Sequence, residues 1–239
     1  MAISELQLPP GVRACPHDAA GQMAQALAVR VADALREAIA NRGQATLVVS
    51  GGRSPVPFFE ALAQQDVPWA QVRVSLADER WVPVNHAASN EALVRRHLLR
   101  GPAAEARFLS LYQVAGNLEQ AAKLADAAVA ELAPIDVLVL VLGMGDDGHT
   151  ASLFPNIPNL SQALQPGCAR RVLPMLAPSE PAQRLSLTLP VLASARLPLL
   201  AIQGQTKLNI LNAALQSGEI TELPIRAFLH SPLEIHWCL

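Results

Sequence analysis

Six consecutive apolar residues, Val137-Leu-Val-Leu-Val-Leu142, run without interruption into Gly143-Met-Gly-Asp-Asp-Gly-His149. A strand with every side chain apolar is stable only when both of its faces are covered, which is the condition of a strand inside a parallel sheet packed between helices. Sheets of that kind bind ligands just outside the carboxyl ends of their strands, where loops from different strands meet. The two carboxylates and the imidazole after Leu142 should therefore emerge together at a strand's carboxyl end. The search for chemistry starts at His149.

The same unit recurs along the chain. Met23, Leu27, Val31, Leu35 and Ile39 repeat every four residues, which predicts a long amphipathic helix over 18–41 stopped by Gly43. Thr46 to Val49 reads as a buried strand, followed by Ser50-Gly51-Gly52 and a helix opened by Pro55-Val56-Pro57. Val72 to Leu76 is a further strand, running into Ala77-Asp-Glu-Arg-Trp-Val-Pro83 and a helix from Ser89 or Asn90 to near Gly101. A third helix is predicted over 117–132, broken by Pro134, before the strand at Val137. Extended segments follow near 171–175 and 185–189, then a strand at 197–203, Gly204-Gln-Thr-Lys207, a helix to Leu215 and a closing strand at 233–238. Strands alternating with helices imply right-handed crossovers and a mainly parallel sheet. The fold class is α/β, a three-layer sandwich around a doubly wound sheet. Residues 1–239 are read as one domain, with the proline-rich stretch 155–181 as a lid or small lobe.

Composition narrows the function. The net charge is −2 and no lysine or arginine cluster makes a basic stripe, so neither nucleic acid nor an anionic membrane is an expected partner. The amino end has no signal-peptide pattern, and no apolar run approaches the roughly 20 residues that span a bilayer. Cys15, Cys168 and Cys238 are odd in number and far apart, as expected of reduced thiols in the cytoplasm. A small molecule is the expected partner, bound by a monomer or small homo-oligomer.

Each motif has an alternative reading. Ser50-Gly51-Gly52-Arg53-Ser54 joins a strand to a helix, where glycines let backbone N–H groups approach an anion, and Arg53 and the hydroxyls favour a phosphate cradle over a plain tight turn. Asp78-Glu79-Arg80 could be a solvated charge triplet, but its place after a buried strand favours Arg80 as a phosphate fork oriented by Asp78. Lys207 stands in the same strand-end position as a second cation. Gly143 to Gly148 fits the dinucleotide pattern G-x-G-x-x-G, yet Phe154-Pro155 follows in place of a long helix, and no acidic residue ends a second strand about 20 residues on to hold a ribose. No nucleotide cofactor is expected. His149 has Asp147 two residues before it, a carboxylate that would fix its tautomer and support a general base. There is no G-x-S-x-G elbow for a nucleophilic serine and no H-E-x-x-H or paired Cys/His spacing for a metal.

Taken in order, these stretches resemble the 6-phosphogluconolactonase family across nearly the whole chain: Ser50 to Pro55, Asp78 to Pro83 with Ser89-Asn90, Gly143 to Pro155, Arg184-Leu-Ser-Leu-Thr188 and Gly204 to Lys207. The long third stretch is the specific one. The family is similar in fold to the glucosamine-6-phosphate deaminases, which carry a glutamate five residues after the turn histidine; here that position is Phe154, which cannot move a proton. The resemblance implies a deaminase/isomerase-like fold and hydrolysis of 6-phospho-D-glucono-1,5-lactone without a metal or cofactor. It implies His149 as base and Asp147 as its orienting partner. Substrate would be held by Ser50, Gly51, Gly52, Arg53, Ser54, Asp78, Arg80, Gly145, Gly148, Arg184 and Lys207. A deaminase of phosphorylated aminosugars and a non-catalytic sugar-phosphate sensor are the competing readings; the sensor would have no use for Asp147 and His149.

Overall fold

A computed structural model describes residues 3–141, 147–229 and 232–239. Its strands are β1 (Val12–Pro16), β2 (Ala45–Val49), β3 (Val72–Leu76), β4 (Asp78–Arg80), β5 (Arg107–Phe108), β6 (Val137–Val141), β7 (Val172–Leu176), β8 (Gln183–Leu187), β9 (Leu197–Gln203) and β10 (Leu233–Cys238). Its α-helices are α1 (Ala20–Arg42), α2 (Val56–Leu62), α3 (Asn90–His97), α4 (Leu118–Ala128), α5 (Leu160–Ala163), α6 (Leu189–Leu192) and α7 (Gln205–Ala214). Seven strands form one sheet in the order β1-β10-β9-β6-β2-β3-β5, and every neighbouring pair is parallel.

Burial explains the apolar runs. All five residues of β2 are buried, as are Val137 to Val139 of β6 and Leu199 to Ile202 of β9, so the central strands are covered on both faces. Helix α1 buries Met23, Leu27, Val31, Leu35 and Ile39 on one stripe, and Gly43 closes it by donating its N–H to the Ile39 carbonyl at 2.7 Å. From the centre the chain steps outward through β3 to β5, returns to β6 beside β2, and then steps outward the other way through β9 and β10. Right-handed crossovers place α1 and α2, which pack together, on one face and α7 on the other.

Three features depart from the sequence expectations. Residues 78–80, expected in a loop, are the strand β4 of a second, antiparallel sheet ordered β4-β8-β7. The amino-terminal segment supplies β1 to the edge of the large sheet. The helices expected to end near Gly101 and at Leu132 stop earlier, α3 at His97 and α4 at Ala128, and each is followed by a 3-10 segment, at Gly101–Glu105 and Val129–Leu132. The stretch 155–181 contributes α5 and β7, with Leu160, Val172, Leu173 and Met175 buried. No helix among the described residues is long and apolar enough to cross a membrane.

Candidate active site

The carboxyl ends of β3, β2, β6 and β9 stand side by side, because those strands are consecutive in the sheet. Winding reverses between β2 and β6, which makes the carboxyl ends of these two strands the topological switch point, where sheets of this kind bind their ligands. All four loops singled out in the sequence, after residues 49, 76, 141 and 203, leave from this row of strand ends. Gly145, with Gly143, Met144 and Asp146, lies outside the described residues.

Strand alternation divides the work of Asp78, Glu79 and Arg80. Asp78 and Arg80 face one side of the small sheet, opposite Ser186 and Arg184 of β8, while Glu79 faces the other. Glu79 is 0% exposed. Its carboxylate accepts from the backbone N–H groups of Arg80, Asn90 and Glu91 at 2.7, 2.8 and 2.7 Å and from Ser89 Oγ at 3.1 Å, tying β4 to the first turn of α3. Burial pushes the Glu79 carboxyl up to about 7, against the pull of the three backbone donors. Glu79 has no separate role in the sequence reading, because its partners in α3 and at Ser89 lie ten to twelve residues away and leave no periodic signal.

On the opposite side, Asp78 Oδ2 accepts from Ser152 Oγ at 2.6 Å, three residues beyond His149. The expected orientation of Arg80 by Asp78 is replaced by a bond from Arg80 Nη1 to the Ala88 carbonyl at 2.7 Å. Arg184 stands directly across the strand pair from Arg80 and is 5% exposed. Its Nε donates to the Pro181 carbonyl at 2.6 Å. Burial first, and then the charge of Arg80, hold the Arg184 guanidinium below its ordinary pKa. Like charges facing each other across a strand pair are unfavourable unless something negative comes between them.

The glycine loop after β2 joins this assembly through a close approach. A Cβ on Gly51 would sit 2.0 Å from the Asn90 side chain, whose Nδ2 donates to the Asp78 carbonyl at 3.0 Å. Glycine is therefore required where this loop meets the first residue of α3, and Gly51→Ala should cost about 1–3 kcal/mol in denaturant unfolding by overpacking. Much of that loss should be recovered in Gly51→Ala/Asn90→Ala, since the clash has one partner; an unchanged cost in the double variant would exclude this contact as the cause. Ser50 is buried, and its Oγ has no hydrogen-bond partner among the described residues. Arg53 and Ser54 are exposed on the rim. Ser54 and Lys207 share the wall of a cavity of about 270 Å³ whose lining includes Met23, Leu27, Phe58 and Ile202, so the first and last loops meet there.

His149 Nδ1 lies 2.7 Å from Asp147 Oδ1. An ionised carboxylate can only accept, which assigns the Nδ1–H tautomer and leaves Nε2 with its lone pair. Burial pushes the Asp147 carboxyl up, but the hydrogen bond and charge of His149 outweigh it and hold the group below the usual carboxylate range. The Phe154 ring packs on the imidazole with centroids 4.1 Å apart and planes inclined by 29°. Gly148 has φ +62°, and a Cβ there would lie 2.7 Å from Leu223; its carbonyl accepts from Ile225 N at 3.0 Å. Thr150 and Leu153 form a tight bridge after the histidine, where a dinucleotide fold would place a helix. Asn90 reads from the sequence only as a helix start, and neither the bond of Ser152 to Asp78 nor the stacking of Phe154 on His149 is legible there.

The family model described as glucosamine-6-phosphate isomerases/6-phosphogluconolactonase matches residues 18–237. The chain belongs to this family. Within the family it is 60% identical over 237 residues to a protein of Pseudomonas aeruginosa named 6-phosphogluconolactonase, covering 99% of each chain. A crystal structure of a 6-phosphogluconolactonase from Shewanella baltica superposes with a TM-score of 0.91 at 35% identity, over 95% of this chain and 98% of that one. A monomeric glucosamine-6-phosphate deaminase shares the fold of the isomerase/lactonase family at a TM-score of 0.76 and 17% identity, over 95% of this chain and 97% of that one.

Proposed function

We propose that this protein hydrolyses 6-phospho-D-glucono-1,5-lactone to 6-phospho-D-gluconate, in the oxidative pentose phosphate pathway. The observation that carries the proposal is the His149–Asp147 pair, which leaves Nε2 as a proton acceptor in the segment that follows β6, one of the two strands at the switch point. His149 takes a proton from water attacking the lactone carbonyl, and the resulting imidazolium, supported by Asp147, returns a proton to the departing ring oxygen. Water is activated by the imidazole itself, with no metal or cofactor in the step. Arg80, Arg184 and Lys207, with Ser50 and the loop through Gly51, Gly52, Arg53 and Ser54, hold the phosphate; Asp78 and Gly148 shape the sugar's side of the cleft. The opposed guanidiniums of Arg80 and Arg184 support this, since a phosphate between them removes their repulsion.

The whole chain acts as one domain: Leu187 N donates to the Ala77 carbonyl at 2.9 Å, bonding the small sheet to the strand that leaves the large one. The three free thiols fit a cytoplasmic protein, working as a monomer or small homo-oligomer with the lactone as its partner.

A coupled assay on freshly generated lactone, corrected for spontaneous hydrolysis, tests substrate and reaction together. Enzyme-dependent acceleration is expected. Ammonia release from glucosamine 6-phosphate would establish the deaminase, and ligand binding without turnover the sensor. Arg80→Ala and Arg184→Ala should each lower kcat/KM roughly ten- to hundredfold, the loss of one charge-assisted hydrogen bond or more at about 1.5–3 kcal/mol. Unchanged kcat/KM in both variants would remove the phosphate assignment.

A further inference from the structure

At the far edge of the large sheet, β1 and β10 set Cys15 opposite His236 and Arg13 opposite Glu234. Alternation along the strands sends these side chains to one face. Cys15 Sγ, a carboxylate oxygen of Glu234 and a ring nitrogen of His236 all lie within 4.8 Å of one another. His236 is 4% exposed, and its Nε2 has no hydrogen-bond partner among the described residues. Glu234 Oε2 lies 3.7 Å from it. On the other side of the ring, His236 Nδ1 is 3.0 Å from His17 Nε2, and the two imidazoles stack with planes 9° apart.

We propose that Cys15, Glu234 and His236 form a zinc-binding site, separate from the lactone cleft. A thiolate, an imidazole and a carboxylate are ligands that zinc accepts together, leaving a fourth tetrahedral position for water. His17 supplies the outer shell: by accepting the Nδ1–H of His236 it leaves the lone pair on Nε2, the nitrogen beside Glu234, as partners of metal-bound histidines do. Arg13 and Arg30 both bond the Glu234 carboxylate, fixing its orientation. Their charges oppose a cation, and the Cys15 thiolate offsets this: the Sγ–H proton leaves to solvent as the Zn–S bond forms. The half-exposed Cys15 gives the ion a way in. Zinc–ligand bonds place tetrahedral donors roughly 3.5 Å apart, a contraction that side-chain rotation on the edge strand can supply.

Cobalt titration of the full chain tests this without reference to catalysis. One equivalent of Co²⁺ should raise a thiolate-to-cobalt charge-transfer band with the ligand-field spectrum of a tetrahedral ion, and one equivalent of Zn²⁺ should remove both. Cys15→Ser should abolish the charge-transfer band, Glu234→Gln should weaken cobalt binding at least tenfold, and Cys168→Ser and Cys238→Ser should retain the wild-type signal. His17→Phe, which removes only the outer partner, should weaken binding by roughly ten- to a hundredfold. Absence of a thiolate band with excess Co²⁺, or its survival in Cys15→Ser, would leave the cluster as a hydrogen-bonded histidine pair beside an ion pair and overturn the proposal; because the wild-type titration alone decides that, a variant that fails to fold does not protect it.

Discussion

His149→Ala should slow lactone hydrolysis by about 10² to 10⁴, or roughly 3–5 kcal/mol of transition-state stabilisation, with KM changed far less than kcat. The reason lies in which atoms the imidazole uses. Nδ1 is committed to Asp147 at 2.7 Å, one face is covered by Phe154, and Nε2 is the remaining edge. Alanine removes the proton acceptor and leaves Arg80 and Arg184 on β4 and β8, so phosphate binding should persist. Asp147→Asn should also lower kcat. An amide can present its carbonyl or its N–H₂ to Nδ1, so the tautomer is no longer fixed. Because the two residues act as a unit, the double variant should be little slower than His149→Ala alone. Phe154→Ala keeps the Asp147 bond but loosens the ring, and a smaller fall in kcat is expected. Steady-state kinetics beside inorganic phosphate protection against thermal unfolding would separate these effects; near-normal kcat in His149→Ala would end the assignment of the base.

The contrast between His149 and Glu79 also shows what a chain discloses before it is folded. His149 and Asp147 are two residues apart, so their contact needs no knowledge of topology. The strands were equally plain: β9 occupies the interval 197–203 that its apolar run predicts, and β3 and β10 occupy 72–76 and 233–238, where apolar residues alternate with polar ones. An unbroken apolar run reports burial on both faces, and that burial is what makes the strand.

Elements made by pairing alone left no such trace. β4 is Asp-Glu-Arg and β1 is Val-Arg-Ala-Cys-Pro, neither with strand propensity of note; they are extended because β8 and β10 offer them ladders. The Ser152–Asp78 bond spans 74 residues, and the contact of Gly51 with Asn90 joins the loop after β2 to the start of α3. Position at a strand end could nominate these residues, but only register could say that Asp78 and Arg80 share a face from which Glu79 is excluded.

That exclusion gives Glu79 a consequence out of proportion to its distance from the chemistry. Glu79→Ala should cost about 3–5 kcal/mol of stability and lower Tm by roughly 10 °C, because it strands three buried backbone N–H groups and opens a void at the first turn of α3. Glu79→Gln, which keeps one acceptor oxygen, should fall between alanine and wild type. Glu60→Ala is the control: that carboxylate is half-exposed and pairs with His97, so a loss within about 1 kcal/mol is expected. Glu79 also fixes the Arg80 backbone, so any folded Glu79→Ala protein should show a raised KM for the lactone, whereas a purely global loss of stability would lower active concentration and leave KM alone. Denaturant unfolding and the KM–kcat split together test the point. A Glu79→Ala protein within 1 kcal/mol of wild type, with unchanged KM, would mean that solvent replaces all four hydrogen bonds and that β4 holds its arginine without help from α3.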